Sequence, residues 1–115
     1  MATTAAASGS QALTVTTEHF VADIAAAGVY TFHVDTQPFV AGDVVELRVY
    51  QMVLTSGTSR VLFFAAYYGA QLADDYIKVS VPIGNELTDA TALRFSIKQT
   101  FGTSRTVPFK VLKYA

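Results

Sequence analysis

The stretch DVVELRVYQMVLTSGTSRVLFFAAYYG, residues 43–69, decides the fold of this chain. Its first half is rich in Val, Leu and Tyr, and it alternates so that Val45, Leu47 and Val49 share one face of a strand. A polar segment with a central glycine, residues 55–59, separates this half from a second apolar and aromatic run. Two β-rich runs joined by a short glycine-containing loop predict a β-hairpin. With arms of about ten residues the hairpin would be roughly 33 Å long, so other strands must cover it to keep it ordered in water.

The second arm of this hairpin, residues 60–69, is apolar on both of its faces. One face carries Val61, Phe63 and Tyr67, and the other carries Leu62, Phe64 and Tyr68. Only one face of a strand can meet the core in a two-sheet domain of this size. The face with Leu62 is therefore the first candidate for an intermolecular surface.

Further β-rich segments follow the same period of two and are separated by turns that contain Gly or Pro. Besides the two hairpin arms, the segments predicted as strands are residues 12–20, 29–35, 76–81, 92–101 and 106–114. No segment has a convincing helical period. We therefore predict an all-β fold, an antiparallel β-sandwich or jelly-roll-like domain of about seven strands over residues 12–115.

Several local expectations depend on single residues. Alternation in residues 77–81 predicts that Ile77, Val79 and Val81 point to the core and that Lys78 and Ser80 point to solvent. Residues 21–28 are expected to be a connection that ends at Gly28.

Two expectations concern the C-terminal part of the chain. Pro108 cannot donate to a ladder, so the last strand is expected at a sheet edge or to be bulged there. The sequence Gly-Thr-Ser-Arg occurs at residues 57–60 and 102–105, and we interpret both copies as hairpin tips at one end of the domain.

The first 11 residues, MATTAAASGSQ, are small and uncharged and show no period. They predict an extended N-terminal arm that is flexible, or one that becomes ordered by lying on a neighbouring subunit. They lack the basic and apolar segments of a secretory signal, so we expect a protein that is made and kept in a cytoplasm, or assembled there.

Composition narrows the possible functions. The chain has 115 residues, a formal net charge of −1, 15% charged and 51% hydrophobic residues, and no cysteine. The absence of cysteine excludes disulfides and thiolate metal sites. The scattered Lys and Arg residues do not form a basic stripe, so no nucleic-acid partner is expected, and no apolar run is long enough to span a membrane. Few charges for so much apolar sequence suggest that a partner covers part of the surface.

Reactive groups in the sequence do not form a recognisable catalytic or metal set. Glu18, His19 and His33 are a conceivable ligand set, but surface histidines on strands explain them equally well, and we expect no metal and no cofactor. No Gly-x-Ser-x-Gly motif, cysteine nucleophile or phosphate-binding loop is present. The carboxylate pairs lie in predicted loops and strand starts, where capping and solubility account for them. We expect the protein not to be an enzyme.

Aromatic and arginine side chains supply the candidates for contact with a partner. Tyrosine is favoured at such surfaces because one ring offers apolar area and a hydroxyl group. The candidate interface residues are Leu62, Phe64, Tyr67, Tyr68, Tyr50, Arg60 and Arg105.

The stretch DVVELRVYQMVLTSGTSRVLFF, followed by DDYIKVSVPIGNELTDATALRFSIKQTFGTSRTVPFKVLKYA, resembles small proteins encoded among the virion genes of tailed bacteriophages. In architecture it resembles the β-sandwich cement, or decoration, proteins on the outside of icosahedral capsids. The likeness covers residues 43–115 best, and residues 1–28 match no such protein. No catalytic or ligand motif defines these proteins, so the resemblance implies no site residues.

The resemblance implies a structural virion protein that is made in the bacterial host cytoplasm and lies on the capsid surface. There it would bind the major capsid protein, bridge its subunits and stabilise the head. It also implies a homo-oligomer, with a dimer favoured over a trimer. Two alternatives stay open. One is a carbohydrate- or receptor-binding β-sandwich that uses Tyr67, Tyr68 and Tyr76 as a stacking face. The other is a tail or connector accessory protein of the same virion.

Overall fold

The structure, a computed structural model, describes residues 3–114. Within this range the chain forms nine strands and one short 3-10 turn, Ala73–Asp75. The strands are β1 (Thr3–Ala12), β2 (Glu18–Ile24), β3 (Gly28–Asp35), β4 (Val44–Gln51), β5 (Arg60–Tyr68), β6 (Ile77–Val79), β7 (Ile83–Asn85), β8 (Leu93–Phe101) and β9 (Thr106–Tyr114). No helix in this range is long and apolar enough to cross a membrane.

The strands form two antiparallel sheets that pack face to face. Sheet I has the order β1-β9-β3-β6, with β7 also paired to β3, and sheet II has the order β2-β8-β4-β5. The prediction of an all-β antiparallel sandwich is confirmed, although residues 3–114 contain nine strands rather than about seven.

The central strands supply the core, as their alternation predicts. The inward side chains of β3, β4 and β8 are all buried: Tyr30, Phe32, Val34, Val45, Leu47, Val49, Leu93, Phe95 and Ile97. The rings of Phe32 in sheet I and Phe95 in sheet II lie 5.3 Å apart between centroids. Contact between these rings joins the two layers at the centre of the domain.

The hairpin predicted from residues 43–69 is also confirmed. Strands β4 and β5 pair from Val44 opposite Tyr68 to Gln51 opposite Arg60. Strand β4 also pairs with β8, whereas β5 has no other neighbour among the strands of residues 3–114 and forms one edge of sheet II. The second arm of the hairpin therefore keeps a free edge as well as an outer face.

The structure corrects the expectation of a flexible N-terminal arm. Residues 3–12 form strand β1, which pairs with β9 of the same chain rather than with a neighbouring subunit. Most of its side chains are exposed, so backbone hydrogen bonds hold this strand in the sheet. For the same reason its residue types show no alternation that would predict a strand. Met1 and Ala2, also part of the predicted arm, lie outside the described residues.

The second strand begins later than its composition predicts. Strand β2 covers Glu18–Ile24, so the expected strand at residues 12–20 and the expected connection at residues 21–28 are both wrong in their bounds. A β-bulge between Phe20 and Ala22 interrupts the alternation against β8. An extra residue in a strand shifts the period of two, which hides the strand from a pattern search.

The faces of strand β6 are the reverse of the prediction. Lys78 lies opposite Val34 of the core and is buried together with Ser80, whereas Ile77, Val79 and Val81 are exposed. Both buried polar groups have partners, because Lys78 Nζ lies 2.7 Å from Asp75 Oδ2 and Ser80 Oγ accepts the Phe32 N–H at 2.9 Å. The register against β3 therefore sets the faces, and these hydrogen bonds compensate for burying the polar groups.

Strand β9 is not at an edge, because β1 and β3 flank it. Pro108 is accommodated since the ladder between β3 and β9 ends at Val34 opposite Phe109, the residue that follows the proline, so Pro108 takes no part in that ladder. The two Gly-Thr-Ser-Arg segments also differ from expectation. Arg60 pairs with the last residue of β4, whereas residues 102–105 join the two sheets beside the first residues of β4, so the two segments lie at opposite ends.

Candidate interaction surface

Strand β5 presents large apolar side chains to solvent. Val61, Leu62 and Phe64 are each about half exposed, and Tyr68 is 72% exposed. Phe64 lies opposite Arg48 and Tyr68 lies opposite Val44, so both point to the outer face of sheet II. We call this set of four side chains the β5 patch.

The free edge of β5 also presents unpaired backbone groups. Gly69 donates its N–H to the carbonyl of Asp43, directly opposite, at 2.7 Å. Because successive residues of a strand point their N–H and C=O groups to alternate sides, Phe64, Ala66 and Tyr68 direct theirs away from β4. A long contact of 3.3 Å joins Gln71 Nε2 to the Tyr68 carbonyl oxygen. The edge is thus available to a further strand.

Next to the β5 patch, the outer face of sheet II carries a hydrogen-bonded polar group. Glu18 Oε2 accepts hydrogen bonds from the Tyr50 hydroxyl at 2.7 Å and from the Ser96 hydroxyl at 2.6 Å. Burial raises the pKa of Glu18, but these two bonds and the nearby charges of Arg48 and Lys98 outweigh it and hold the pKa below its ordinary value. Burial and the Glu18 carboxylate raise the pKa of Tyr50. Glu18 is therefore an ionised acceptor that fixes the Tyr50 ring.

Arginine side chains on the same face neutralise acidic groups and cover aromatic rings. Arg94 Nε lies 2.9 Å from Asp23 Oδ1, and its guanidinium lies 3.8 Å from the centroid of the Phe20 ring. Arg48 pairs with Glu46 at 2.8 Å and lies 4.9 Å from the centroid of the Phe64 ring. This layer combines aromatic area with internally paired charges, so it repels neither acidic nor basic partners.

A second exposed apolar surface lies on the outer face of sheet I. Ile77, Val79 and Val81 are 60%, 49% and 53% exposed and form what we call the β6 stripe. Next to Ile77 lies a shallow cleft of about 130 Å³ that is also lined by His33, Pro108 and Lys110. Burial, followed by the charge of Lys110, lowers the pKa of His33 and favours its neutral form. The cleft and the stripe therefore form a mainly apolar surface.

Five of the seven predicted interface residues lie at exposed positions of β5 or on the outer face of sheet II. Leu62, Phe64 and Tyr68 lie together in the β5 patch, and Arg60 is exposed at the start of the same strand. Tyr50 lies on the same outer face, where Glu18 holds it.

The remaining two predicted residues have partners within the chain. Tyr67 is on the inner side of β5, where Lys78 Nζ lies 4.8 Å from its ring centroid. Arg105 donates from Nε to Asp43 Oδ2 at 2.9 Å, and the side chain of Asp43 is only 2% exposed. Neither residue belongs to the exposed surface proposed below. Sequence reasoning missed the β6 stripe, because alternation alone gives no sign of which face is inside.

The titratable groups that the sequence singled out do not converge. Glu18 and His19 belong to sheet II and His33 to sheet I, and His19 Nε2 accepts the Thr14 N–H at 2.9 Å. Over residues 3–114 no group of three or more His, Cys, Asp or Glu side chains is placed to hold a metal ion. Ser96 is fully buried and already donates to Glu18, so a substrate has no approach to its hydroxyl. Over the described residues these groups take part in separate local contacts, while the exposed strands offer apolar area and a free edge.

Comparison of this chain with models of protein families, with curated protein sequences and with solved structures finds no match. Its surfaces and the resemblance stated above are therefore the basis for a functional proposal.

Proposed function

We propose that this chain is a structural virion protein of a tailed bacteriophage, a cement or decoration protein on the outside of the capsid. In this role it binds the major capsid protein and bridges neighbouring subunits of the shell. The observation that carries the proposal is the presence of two separate apolar surfaces on one domain. The β5 patch lies on the outer face of sheet II and the β6 stripe on the outer face of sheet I.

Two surfaces on opposite faces suit a protein that bridges neighbours. A bridging protein must contact at least two other molecules through a body that does not deform between them. Here the two sheets share a closely packed core, and the shortest dimension of the domain is 19 Å. Exposed apolar residues grouped on strands are also typical of surfaces that other proteins cover.

Stabilisation of the shell would follow from mass action. A protein that binds the assembled, expanded shell but not its free subunits favours the assembled state. At a free concentration one hundred times the dissociation constant, each occupied site contributes about 2.7 kcal/mol. Many such sites on one particle give a large total effect without any chemical step.

The carbohydrate-binding alternative receives less support from the geometry. It needs Tyr67, Tyr68 and Tyr76 on one stacking face. Tyr67 lies on the inner side of β5 against Lys78, whereas Tyr68 lies on the outer face. Tyr76 follows the 3-10 turn that leads to sheet I. A tail or connector protein would have the same surfaces, so the test below also locates the protein in the particle.

The test uses expanded shells that lack this protein. We expect the purified chain to bind them and to raise the temperature at which they disrupt, measured by calorimetry. The double variant Ile77→Ser, Val79→Ser removes apolar area from the β6 stripe and should weaken binding. Val53→Ser with Leu54→Ser is the matched control, because these apolar residues are at least 73% exposed in the loop between β4 and β5.

The copy number per particle provides an independent measurement. Quantitative mass spectrometry of virions should find hundreds of copies for a capsid protein, whereas a few to tens of copies would place the protein in the tail or connector. Absence of binding and an unchanged disruption temperature would contradict the cement function.

A further inference from the structure

The free edge of strand β5 lacks the features that usually prevent strands from pairing between molecules. Proteins protect edges with charged side chains, prolines, bulges or short strands. Residues 61–69 contain neither a charge nor a proline, and the strand bulges only near its start, against Val49 and Tyr50.

The other long edges differ from β5. Strand β2, at the opposite edge of sheet II, carries Glu18 and Asp23 and a central bulge. Strand β1, an edge of sheet I, has a bulge between Ala5 and Ala7 and bears only small side chains and one glutamine, so it has little apolar area to bury. Of the long edges, β5 combines open backbone groups with large apolar side chains.

We propose that the β5 edge pairs, antiparallel, with the β5 edge of a second copy of this chain, about a two-fold axis at Ala66. The pairing joins two four-stranded sheets into one continuous sheet of eight strands. This inference concerns the isolated protein and does not depend on binding to a shell.

The backbone fixes the register of this pairing. Hydrogen-bonded partners across the new edge must come from residues with outward N–H and C=O groups, namely Phe64, Ala66 and Tyr68. An axis at Ala66 uses all three, pairing Ala66 with its counterpart and Phe64 with the partner's Tyr68. An axis at Ala65 or Tyr67 uses fewer of them, and an axis at Phe64 requires the bulged segment to pair.

The side chains support the same register. With the axis at Ala66, each Phe64 ring lies across from the partner's Tyr68 ring, a cross-strand aromatic pair that stabilises antiparallel strands. The small Ala66 side chain leaves room for these rings at the axis. Residues 61–69 contain no charged side chain, so pairing these segments brings no like charges together. Gln71 must release the Tyr68 carbonyl, and its contact of 3.3 Å is a long one.

The area available indicates a weak dimer. Phe64 and Tyr68 are 50% and 72% exposed. Since a buried aromatic side chain contributes about 150–250 Å², the two rings offer about 250 Å² per copy. A standard stable interface buries about 800 Å² per partner, so these two rings supply well under half of the usual area. We therefore expect a weak dimer with a dissociation constant in the micromolar range.

Charge substitutions at the axis test both the pairing and its register. Ala66→Lys places two like-charged side chains directly opposite each other, on Cα atoms about 5.5 Å apart, and should weaken the dimer about tenfold or more in sedimentation equilibrium. Ala66→Glu should do the same, and an equimolar mixture of the two variants should restore a dimer. Because Glu46 lies opposite Ala66 within the chain, circular dichroism should check that each variant is folded. Val53→Lys, in an exposed loop, is the control that should leave dimerisation unchanged.

Cross-linking provides a second measurement that places no charge at the axis. The chain has no cysteine, so Ala66→Cys introduces a single thiol. Counterpart residues at the axis have Cα atoms within disulfide range, and mild oxidation should link this variant faster than Val53→Cys. A wild-type monomer up to high micromolar concentration, or equal cross-linking of the two variants, would overturn the proposal. Failure of the mixed Lys and Glu variants to pair would overturn the register.

Discussion

Replacing Asp43 with alanine should strongly destabilise the domain, because this carboxylate joins three separate segments. It is 2% exposed at the start of β4. Its oxygens accept the Val40 N–H at 3.0 Å, the Thr103 N–H at 3.2 Å and the Arg105 Nε–H at 2.9 Å. Asp43 thereby ties the loop before β4 and the connection between β8 and β9 to the end of sheet II.

The size of the loss follows from the groups left behind. Removing one partner of a buried charge pair costs about 3–5 kcal/mol, and each buried backbone N–H left without an acceptor costs about 1–3 kcal/mol. These costs overlap, and the Arg105 side chain is 27% exposed, so water can solvate it in part. We therefore expect a loss of about 3–4 kcal/mol, a large share of the 5–15 kcal/mol typical of a whole domain. The melting temperature should fall by about 12–16 °C at roughly 4 °C per kcal/mol.

Urea denaturation at neutral pH measures this loss, with a second ion pair as the matched control. Asp23 and Arg94 form a pair of nearly the same length, 2.9 Å, but their side chains are 42% and 31% exposed. Asp23→Ala should cost less than about 1 kcal/mol, as exposed ion pairs do. If Asp43→Ala and Asp23→Ala destabilise the protein by similar small amounts, the assigned role of the buried carboxylate is wrong.

Three further predictions concern the same region and strand β6. Burial raises the pKa of Asp43, but hydrogen bonds from Val40, Arg105 and Thr103 outweigh it and lower the pKa overall. Its contribution to stability should therefore be complete above its unfolded pKa of about 3.9 and be lost as the pH falls through the lower folded pKa. Urea titrations in acid should show a shallower decline for Asp43→Asn, and parallel declines would contradict this. Gly102→Ala should destabilise the fold by at least about 1 kcal/mol more than Gly42→Ala. Both glycines have positive φ, at +96° and +92°, but a Cβ at position 102 would overlap Asp43 Oδ1, whereas a Cβ at position 42 meets nothing within 4 Å. Lys78→Met should keep stability within about 1 kcal/mol of wild type or increase it, because an apolar side chain avoids burying a charge; a loss above about 2 kcal/mol in thermal melts would refute this.

The central strands were predictable because each inward position carries a residue that the core needs. In β4 and β8 the buried and half-buried residues alternate along most of the strand, so the period of two alone gives the face. The hairpin was predictable for a second reason, since the apolar runs and the glycine-containing loop agree. Where local composition and tertiary packing agree in this way, one sequence is sufficient.

The reversal of β6 shows what alternation leaves open. The pattern Ile77, Lys78, Val79 fits a strand with either face inward, and the apolar face is the natural choice. The structure chooses the other face because the buried Lys78 side chain lies against the Tyr67 ring and its Nζ reaches the Asp75 carboxylate, whose side chain is 67% exposed. Asp75 is three residues and Tyr67 eleven residues from Lys78 in sequence, and the alternation within the strand gives no sign of either contact. The candidate surface on sheet I was missed for the same reason.

The edge strands were the other source of error. Strand β1 is held by its backbone ladder with β9. Its side chains need only be small enough to lie beside those of β9, and Gly9 beside the Phe109 ring is an example. Composition cannot separate such a strand from a flexible arm. The β5 patch, in contrast, was predictable because a strand with large apolar side chains on both faces cannot bury both in a sandwich of two sheets.

Edge pairing about Ala66 would also determine how the β6 stripe is presented. Antiparallel neighbours in a continuous sheet are related by a two-fold axis perpendicular to the sheet, so both copies keep the same face upward. The outer faces of the two sheets I, each with Ile77, Val79 and Val81 exposed, would then point in one direction. A dimer of this kind meets a surface with two apolar stripes at once, and linkage of two weak contacts raises overall affinity by a factor of about 10²–10⁴. The weak self-association expected from the area of β5 is compatible with the proposed function, because copies bound side by side on a shell would pair at far higher effective concentration than in solution.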